Sequence, residues 1–533
     1  MNQLFSIQYG FPLLLTGIYF LCLLLNGLGK VKISQFFFLF ISALYIGLVR
    51  LYDYQYLWSN PDVDQWIICA RSLVDDPFLW MKEYAIYDFT RLLTILPLSM
   101  VYWLFGSLGY FEMTVFFLIS LFVFLVLQTQ LLSRKFESIV VFLSVGLLLI
   151  YIVMSDHHNM RAFNSELPVV LLLSAAMVLW FTNKPSATHF FWIGWLLSMM
   201  PFAKEQALYI ALLAFVVIGV DVLRNKQWKW MSTMIVGSLA GGFLWMFVLI
   251  SVVGMDAIMA VVSSIAEYGQ MGLRQQLMGT AEKIQIFTQV IWFNKEMLVL
   301  FPTALVGILV GGVQCKKKHF ERPVFFFFVL VFFVACYVIY LPHNRFTHYQ
   351  ILIWPTLPYF IAVVIAYWKV QLKRYVYYLL PIFLFPFALD VAFVRLRSWY
   401  PEEKDVEKIA EWKQDPYVQA MLRHHVFEVK TMVWGWDNRA MVLNNNKRAS
   451  GFLYPQYAYG KYSGTASVRS NYLHFVQLEQ PTFVLELVGE GRYFFNDRKQ
   501  YGIQETFPAL HELLMEHYFL LEAGNNFKLY RRI

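Results

Sequence analysis

Residues 323–342 read PVFFFFVLVFFVACYVIYLP, twenty positions without a charged side chain. An α-helix rises 1.5 Å per residue, so the stretch covers about 30 Å, the thickness of a bilayer's hydrocarbon core. It is bracketed unequally. Lys316, Lys317, Lys318 and Arg322 stand before it, and Asn344-Arg345-Phe346-Thr347-His348-Tyr349 follows it. Lys and Arg gather on the cytoplasmic side of membrane proteins. The basic end therefore faces in, and the segment with Arg345 and His348 faces out.

Runs of the same kind lie at 10–29, 34–52, 113–132, 138–154, 166–183, 206–223, 231–254, 297–314, 348–369 and 375–395, with a shorter one at Phe190–Ala203. The composition agrees: the 533 residues are 59% hydrophobic, 19% aromatic and 15% charged. A soluble domain is nearer 45–50% apolar and about 25% charged. A disordered chain is excluded, and four Cys in this length exclude a disulfide scaffold. The net charge of +8 does not point to nucleic acid, because the basic residues lie in short clusters between apolar runs. The first run has no basic region before it and no small-residue cleavage site after it, and it reads as a retained helix rather than a signal peptide.

The clusters Lys30/Lys32, Arg134/Lys135, Lys184, Arg224/Lys226/Lys229, Lys316–Arg322 and Lys369/Lys373/Arg374 fall on one side only if the stretch Leu92–Phe105 does not cross. That stretch carries Pro97 and is short for a span, so it reads as a helix at the outer interface. The expectation is a polytopic α-helical membrane protein with about twelve spans and both termini outside. The membrane domain is 1–396, with its outer loop at 53–112. Residues 397–533 mix both charges, lack a span-length run and read as a small extracytoplasmic α/β domain. Its predicted elements are helices at Glu402–Leu422 and Pro508–Tyr518 and strands at Val426–Trp434, Thr482–Val488 and Asn526–Arg531.

The outer loop opens Asn60-Pro61-Asp62-Val63-Asp64, followed by Arg71, Asp75, Asp76, Asp88 and Arg91. Two carboxylates after a proline beside a membrane suit a general base or a metal site. Equally, Asp62 suits the N-cap of a helix over Val63–Val74. Two groups of outer cations run against the charge rule: Lys204, in Pro201-Phe-Ala-Lys204-Glu205, and the Arg345/His348 pair. Charges at membrane depth mark a polar cavity or a partner; each alone suits a side chain snorkelling at an interface equally well, and an anionic headgroup would draw both to one face. Glu166 opens an outer helix end after His157, His158 and Arg161, and the His pair is a weaker metal candidate. A phosphate-linked sugar needs cations on its phosphate and a carboxylate to take the acceptor's proton. Lys204, Arg345 and His348 suit the first need and Asp62 the second, without requiring a metal or other cofactor.

In their order these parts resemble the GT-C integral-membrane glycosyltransferases, nearest the protein O-mannosyltransferase-like and aminoarabinose-to-lipid-A transferase group. The matching pieces are Pro61-Asp62 with Arg71 nine residues on, Leu92–Gly106 ending Tyr102-Trp-Leu-Phe-Gly106, Glu166 before Leu-Pro, Ala203-Lys204-Glu205, and Arg345-Phe-Thr-His348-Tyr349. The resemblance covers about residues 50–395. It implies Asp62 as catalytic acid/base, Glu166 as a second active-site carboxylate, Lys204 and Arg345 as phosphate contacts, and Tyr349 as a cavity wall. Arg71 and His348 join the substrate-binding set. Asp64 completes a D-x-D that a metal-dependent oligosaccharyltransferase would use, which keeps a divalent metal as an alternative.

The expected activity is inverting transfer of a sugar from a polyprenyl-phosphate donor to a glycan, lipid or protein acceptor. It would act at the outer face of the cytoplasmic membrane, without nucleic acid. Trp434-Gly-Trp436-Asp437-Asn-Arg439 and Arg448-Ala-Ser-Gly-Phe452 are candidate sugar-contacting loops, with a buried strand end as an equal alternative. A flippase or transporter for lipid-linked glycans, or a polymerase or ligase, are the rival expectations.

Overall fold

The computed structural model describes residues 10–53, 61–88, 91–155, 162–182, 184–255, 297–316, 322–340, 347–372, 414–435, 437–451, 465–490 and 496–533, with isolated positions between them. The chain divides into two compact units. One is Met1–Tyr54, Thr114–Trp245 and Met278–Asp405; the other is Gln55–Met113, Met246–Leu277 and Val406–Ile533.

The apolar runs form helices at Gly10–Gly27, Gln35–Asp53, Tyr110–Ser133, Ser138–Met154, Glu166–Trp180, Ala187–Met199, Ala207–Arg224, Trp228–Val253, Met297–Lys316, Arg322–Tyr340 and Leu357–Leu372. Among the described residues five helices are long and apolar enough to cross a membrane: Tyr110–Ser133, Ala207–Arg224, Trp228–Phe247, Met297–Lys316 and Arg322–Tyr340. That is the character of a membrane-embedded protein. Nearly all of the 375–395 run lies outside the described residues. The 348–369 run is not one helix. It opens as a 3-10 turn, Thr347–Ile353, and becomes α-helical only at Leu357. Pro355 and Pro358 explain the break, since neither offers an N–H to an α-helical ladder, and Pro358 fits only in a first turn.

In the first unit the helix Ser138–Met154 is apolar all round and buried from Val140 to Val153. It packs against Gly10–Gly27, Gln35–Asp53 and Leu357–Leu372, as a helix without a polar face must. Polar side chains bridge neighbouring helices: Tyr19 Oη to Ser42 Oγ at 2.8 Å, Thr16 Oγ1 to Tyr45 Oη at 2.9 Å, and Gln128 Nε2 donating to Ser174 Oγ at 2.9 Å. Ala187–Met199 and Trp228–Val253 meet backbone to backbone. A Cβ on Gly194 would lie 2.0 Å from the Met234 carbonyl oxygen, and one on Gly237 would lie 2.0 Å from that of Phe191. Ser238 Oγ donates to the Gly194 carbonyl at 3.1 Å across the same contact. Such small residues let helices associate where lipid supplies no hydrophobic drive.

The second unit holds a five-stranded sheet in the order β2-β1-β3-β5-β4. β1 (Lys430–Trp434) runs parallel to β2 (Lys447–Arg448) and to β3 (Phe483–Glu486). β5 (Lys528–Arg532) runs antiparallel to β3 and to β4 (Tyr518–Ala523). The helices Arg439–Leu443 and Thr465–Glu479 lie in the two parallel crossovers. Met432, Trp434, Val484, Tyr472, Val476, Leu510 and Leu514 form the core between sheet and helices. Three predicted strands are present, but Tyr518 begins a strand rather than ending a helix, so Pro508–His517 is the helix. Thr465–Glu479, unpredicted, is helical. Of Glu402–Leu422 only the end is described, as the helix Pro416–Arg423.

To the same unit belong the helices Pro61–Asp75 and Leu92–Phe105, which pack on each other. The second ends where Gly106 turns left-handed, φ 68°, its N–H bonding back to the Tyr102 carbonyl. Pro61–Asp75 also packs against Arg439–Leu443 and β2.

Candidate functional site

In the first unit the helix Glu166–Trp180 touches two turns, Met200–Phe202 and Thr347–Ile353. The first turn exists because Pro201 ends the preceding helix. These contacts gather four of the predicted side chains, Glu166, Lys204, His348 and Tyr349. Lys204 Nζ lies 2.7 Å from Glu166 Oε1, with the side chains 7% and 0% exposed. His348 Nε2 lies 3.7 Å from the same oxygen. Ser165 Oγ donates to Glu166 Oε2 at 3.5 Å. The Lys204 ammonium also stands over the Tyr349 ring, 4.6 Å from its centroid, and the His348 and Tyr349 rings are 4.8 Å apart. A carboxylate and an ammonium this deep hold each other in place of water. Arg345 lies outside the described residues, as do His157, His158 and Arg161.

In the second unit the acidic helix begins at Pro61, two residues earlier than expected, with Asp62 and Asp64 in its first turn. Asp62 is therefore not the N-cap. Proline suits the first helical position, and acids suit the first turn, where N–H groups are unpaired and the helix dipole is positive. Asp62 is half-buried. Asp64 is fully buried, and Tyr110 Oη donates to its Oδ1 at 2.7 Å. Its Oδ2 is buried without a hydrogen-bond partner among the described residues. Burial pushes the Asp64 carboxyl well above the usual carboxylate range, and the negative charge of Asp437 adds to that, against the Tyr110 hydrogen bond and Arg439. A proton on Asp64 would give Oδ2 a donor to offer.

Arg71 is buried on backbone. Its Nε and Nη2 donate to the Leu108 carbonyl at 3.0 and 2.6 Å, and Nη1 and Nη2 to that of Val442 at 3.4 Å. It clamps two parts of its unit. Asp88, quoted above only as a loop charge, is buried against Arg448, Nη1 to Oδ2 2.7 Å, and accepts from Trp80 Nε1 at 2.9 Å. Arg448 also donates to the carbonyls of Ser450 and Gly451 and lies over the Tyr84 ring. Trp434 is a core residue, its Nε1 donating to the Tyr501 carbonyl at 3.0 Å. Trp436 lies outside the described residues. Asp437 binds Arg439, Arg492 and Tyr417 at 2.7, 3.1 and 2.9 Å. Burial pushes the Asp437 carboxyl up, but Arg439 and Arg492 outweigh it and hold the group below the usual carboxylate range.

The two described candidate loops of residues 434–452 are thus held largely by internal bonds. Asp437 and Arg439 stand two residues apart, a spacing that sequence reading could have used, whereas nothing local links Asp88 to Arg448. Among the described residues no three His, Cys, Asp or Glu side chains are grouped to hold a metal ion. No protein-family model and no curated protein matches the chain.

Proposed function

We propose that this chain is a lipid-phosphate-sugar-dependent glycosyltransferase of the GT-C kind. In this reading it sits in a cytoplasmic membrane, crosses it about twelve times, and carries its C-terminal sheet on the outer face. The observation that supports it is the buried group of Glu166, Lys204, His348 and Tyr349, drawn from three elements between apolar helices. Charged side chains in such surroundings are costly and mark function. An ammonium with three donors, one of them on Glu166, suits a phosphate oxygen. The helix Leu92–Phe105 exposes Met100, Trp103, Leu104 and Phe105, apolar side chains that suit a helix lying at a membrane interface.

The reaction balances without a further reactant. The acceptor hydroxyl oxygen attacks the anomeric carbon, and the carbon–oxygen bond to phosphate breaks with its electron pair staying on the phosphate. The hydroxyl proton passes to a carboxylate, Asp62 in this reading, and attack opposite the leaving group inverts the centre. Lys204 and His348 carry the charge that grows on the leaving phosphate.

The same buried ion pair would also serve a carrier of lipid-linked glycans. Purified protein with a panel of polyprenyl-phosphate monosaccharides separates the readings. Release of polyprenyl phosphate, lost in Asp62→Asn, supports transfer, and chelator resistance sets the D-x-D metal alternative aside. Release of a lipid diphosphate from a polyprenyl-diphosphate-linked glycan, offered as a separate donor, points to a polymerase or ligase. Translocation in vesicles with no release points to a carrier.

A further inference from the structure

Glu166 Oε1 is shared. Lys204 Nζ stands 2.7 Å and His348 Nε2 3.7 Å from that one atom, and the three side chains are at most 7% exposed. With His348 neutral, the group's charges already cancel, one negative on Glu166 against one positive on Lys204. A phosphodiester brought to Lys204 adds a negative charge where little water is present to answer it. Uncompensated charge in such a place is strongly disfavoured. Two groups there can take up a proton, Glu166 and His348, and only His348 does so while giving the Glu166 carboxylate a new cation in place of Lys204.

We propose that donor binding at this group is proton-linked: His348 takes up one proton as the phosphodiester engages Lys204, and the imidazolium replaces Lys204 as the partner of Glu166. This deepens the glycosyltransferase reading and rests on it. The charges then close, with Glu166 and the phosphodiester negative and Lys204 and His348 positive. The turn Thr347–Ile353 packs against Glu166–Trp180 and Arg322–Tyr340. The first of these brings Glu166. The second has its only Asp, Glu, Lys or Arg, Arg322, at its first residue, the end of the 19-residue helix away from Tyr340. Among the described residues, Lys204 and Tyr349 are the other titratable groups seen around the imidazole. Nearby in sequence but outside the described residues stand Arg345 and His343, and a pH slope carried by His343 would survive in His348→Gln. A guanidinium does not titrate in the working range, so it cannot produce the same pH signature.

The probe is farnesyl methyl phosphate, a phosphodiester whose single charge does not change across the experiment, with farnesol as the uncharged background. Binding is measured by calorimetry on the full-length protein from about pH 6 to about 8.5, spanning the ordinary imidazole range. Each pH is run in two buffers of different ionisation enthalpy. In the wild type, affinity falls on the alkaline side, approaching tenfold per pH unit, and about one proton is taken up per ligand there. In His348→Gln, affinity is weak and flat with pH. Wild-type binding that is flat, with no proton uptake, overturns the inference and leaves the reading standing. A pH slope that survives in His348→Gln overturns the assignment to His348. No binding by the wild type at any pH overturns the reading and the inference together. The wild-type proton count needs no variant, so a misfolded His348→Gln does not rescue the idea.

Discussion

Asp88 and Arg448, 360 residues apart in sequence, form an ion pair in which the side chains are 2% and 1% exposed and Nη1 lies 2.7 Å from Oδ2. Both residues belong to the second unit, so this pair fastens the segment after Pro61 to the β2 region. Its remaining polar atoms are also satisfied: Trp80 and Cys69 donate to the carboxylate, and the guanidinium reaches the Ser450 and Gly451 carbonyls. A buried pair broken on one side leaves the other charge stranded.

Asp88→Asn and Arg448→Met should each destabilise the protein by about 3–5 kcal/mol, while the double variant should lose less than the sum. Thermal and chemical unfolding of the detergent-purified variants checks this. Additive losses would mean that the two side chains do not act as a pair.

Gly194→Val should separate the helices Ala187–Met199 and Trp228–Val253, because even its Cβ would stand 2.0 Å from the Met234 carbonyl oxygen. The expected cost is about 1–3 kcal/mol, seen as a lower unfolding temperature. At Gly242, where nothing lies within 4 Å of an added Cβ, Gly242→Ala should be neutral or slightly favourable. Equal effects at the two sites would contradict the packing.

Asp64 gives a pH dependence with a definite sign. Burial raises its carboxyl above the ordinary range in the folded chain, so the fold binds the proton more tightly than the unfolded chain does. The associated stability is fully present below the ordinary aspartate range and is lost as pH rises through the raised folded value. Unfolding of Asp64→Asn, measured against the wild type across that window, should show the loss removed. The same slope in both proteins would take Asp64 out of the account.

Lys82 has a side chain 76% exposed. With the orientation proposed above, Lys82→Cys in intact cells should react with a membrane-impermeant maleimide added from outside. Protection there, with labelling only after the cells are opened, would invert the topology.

The helices were legible because uncharged runs of span length have few other uses. The group at Glu166, Lys204 and His348 was legible for a related reason, since charges stand out against apolar neighbours. The 348–369 run was misread as one helix because hydropathy does not register that Pro355 and Pro358 lack N–H groups. Tyr518–Ala523 was missed because its leucines favour helix, and only pairing with Lys528–Arg532 makes it a strand. Asp88 reads in the sequence as a loop charge, and Asp437, Arg439 and Arg448 read as parts of sugar-contacting loops. What buries them is their partners, and for Asp88 and Arg448 the chain separation hides that partner from any local pattern.

The central claim is that Lys204, held by Glu166, grips the donor's phosphate. The most direct test is release of polyprenyl phosphate by the double variant Glu166→Gln/Lys204→Met, in which the buried site stays uncharged, with folding checked by unfolding temperature. Losing a buried charged contact is worth about 2–5 kcal/mol, so release should fall roughly 30-fold to several-thousand-fold. Release at the wild-type rate from the folded double variant would contradict the claim.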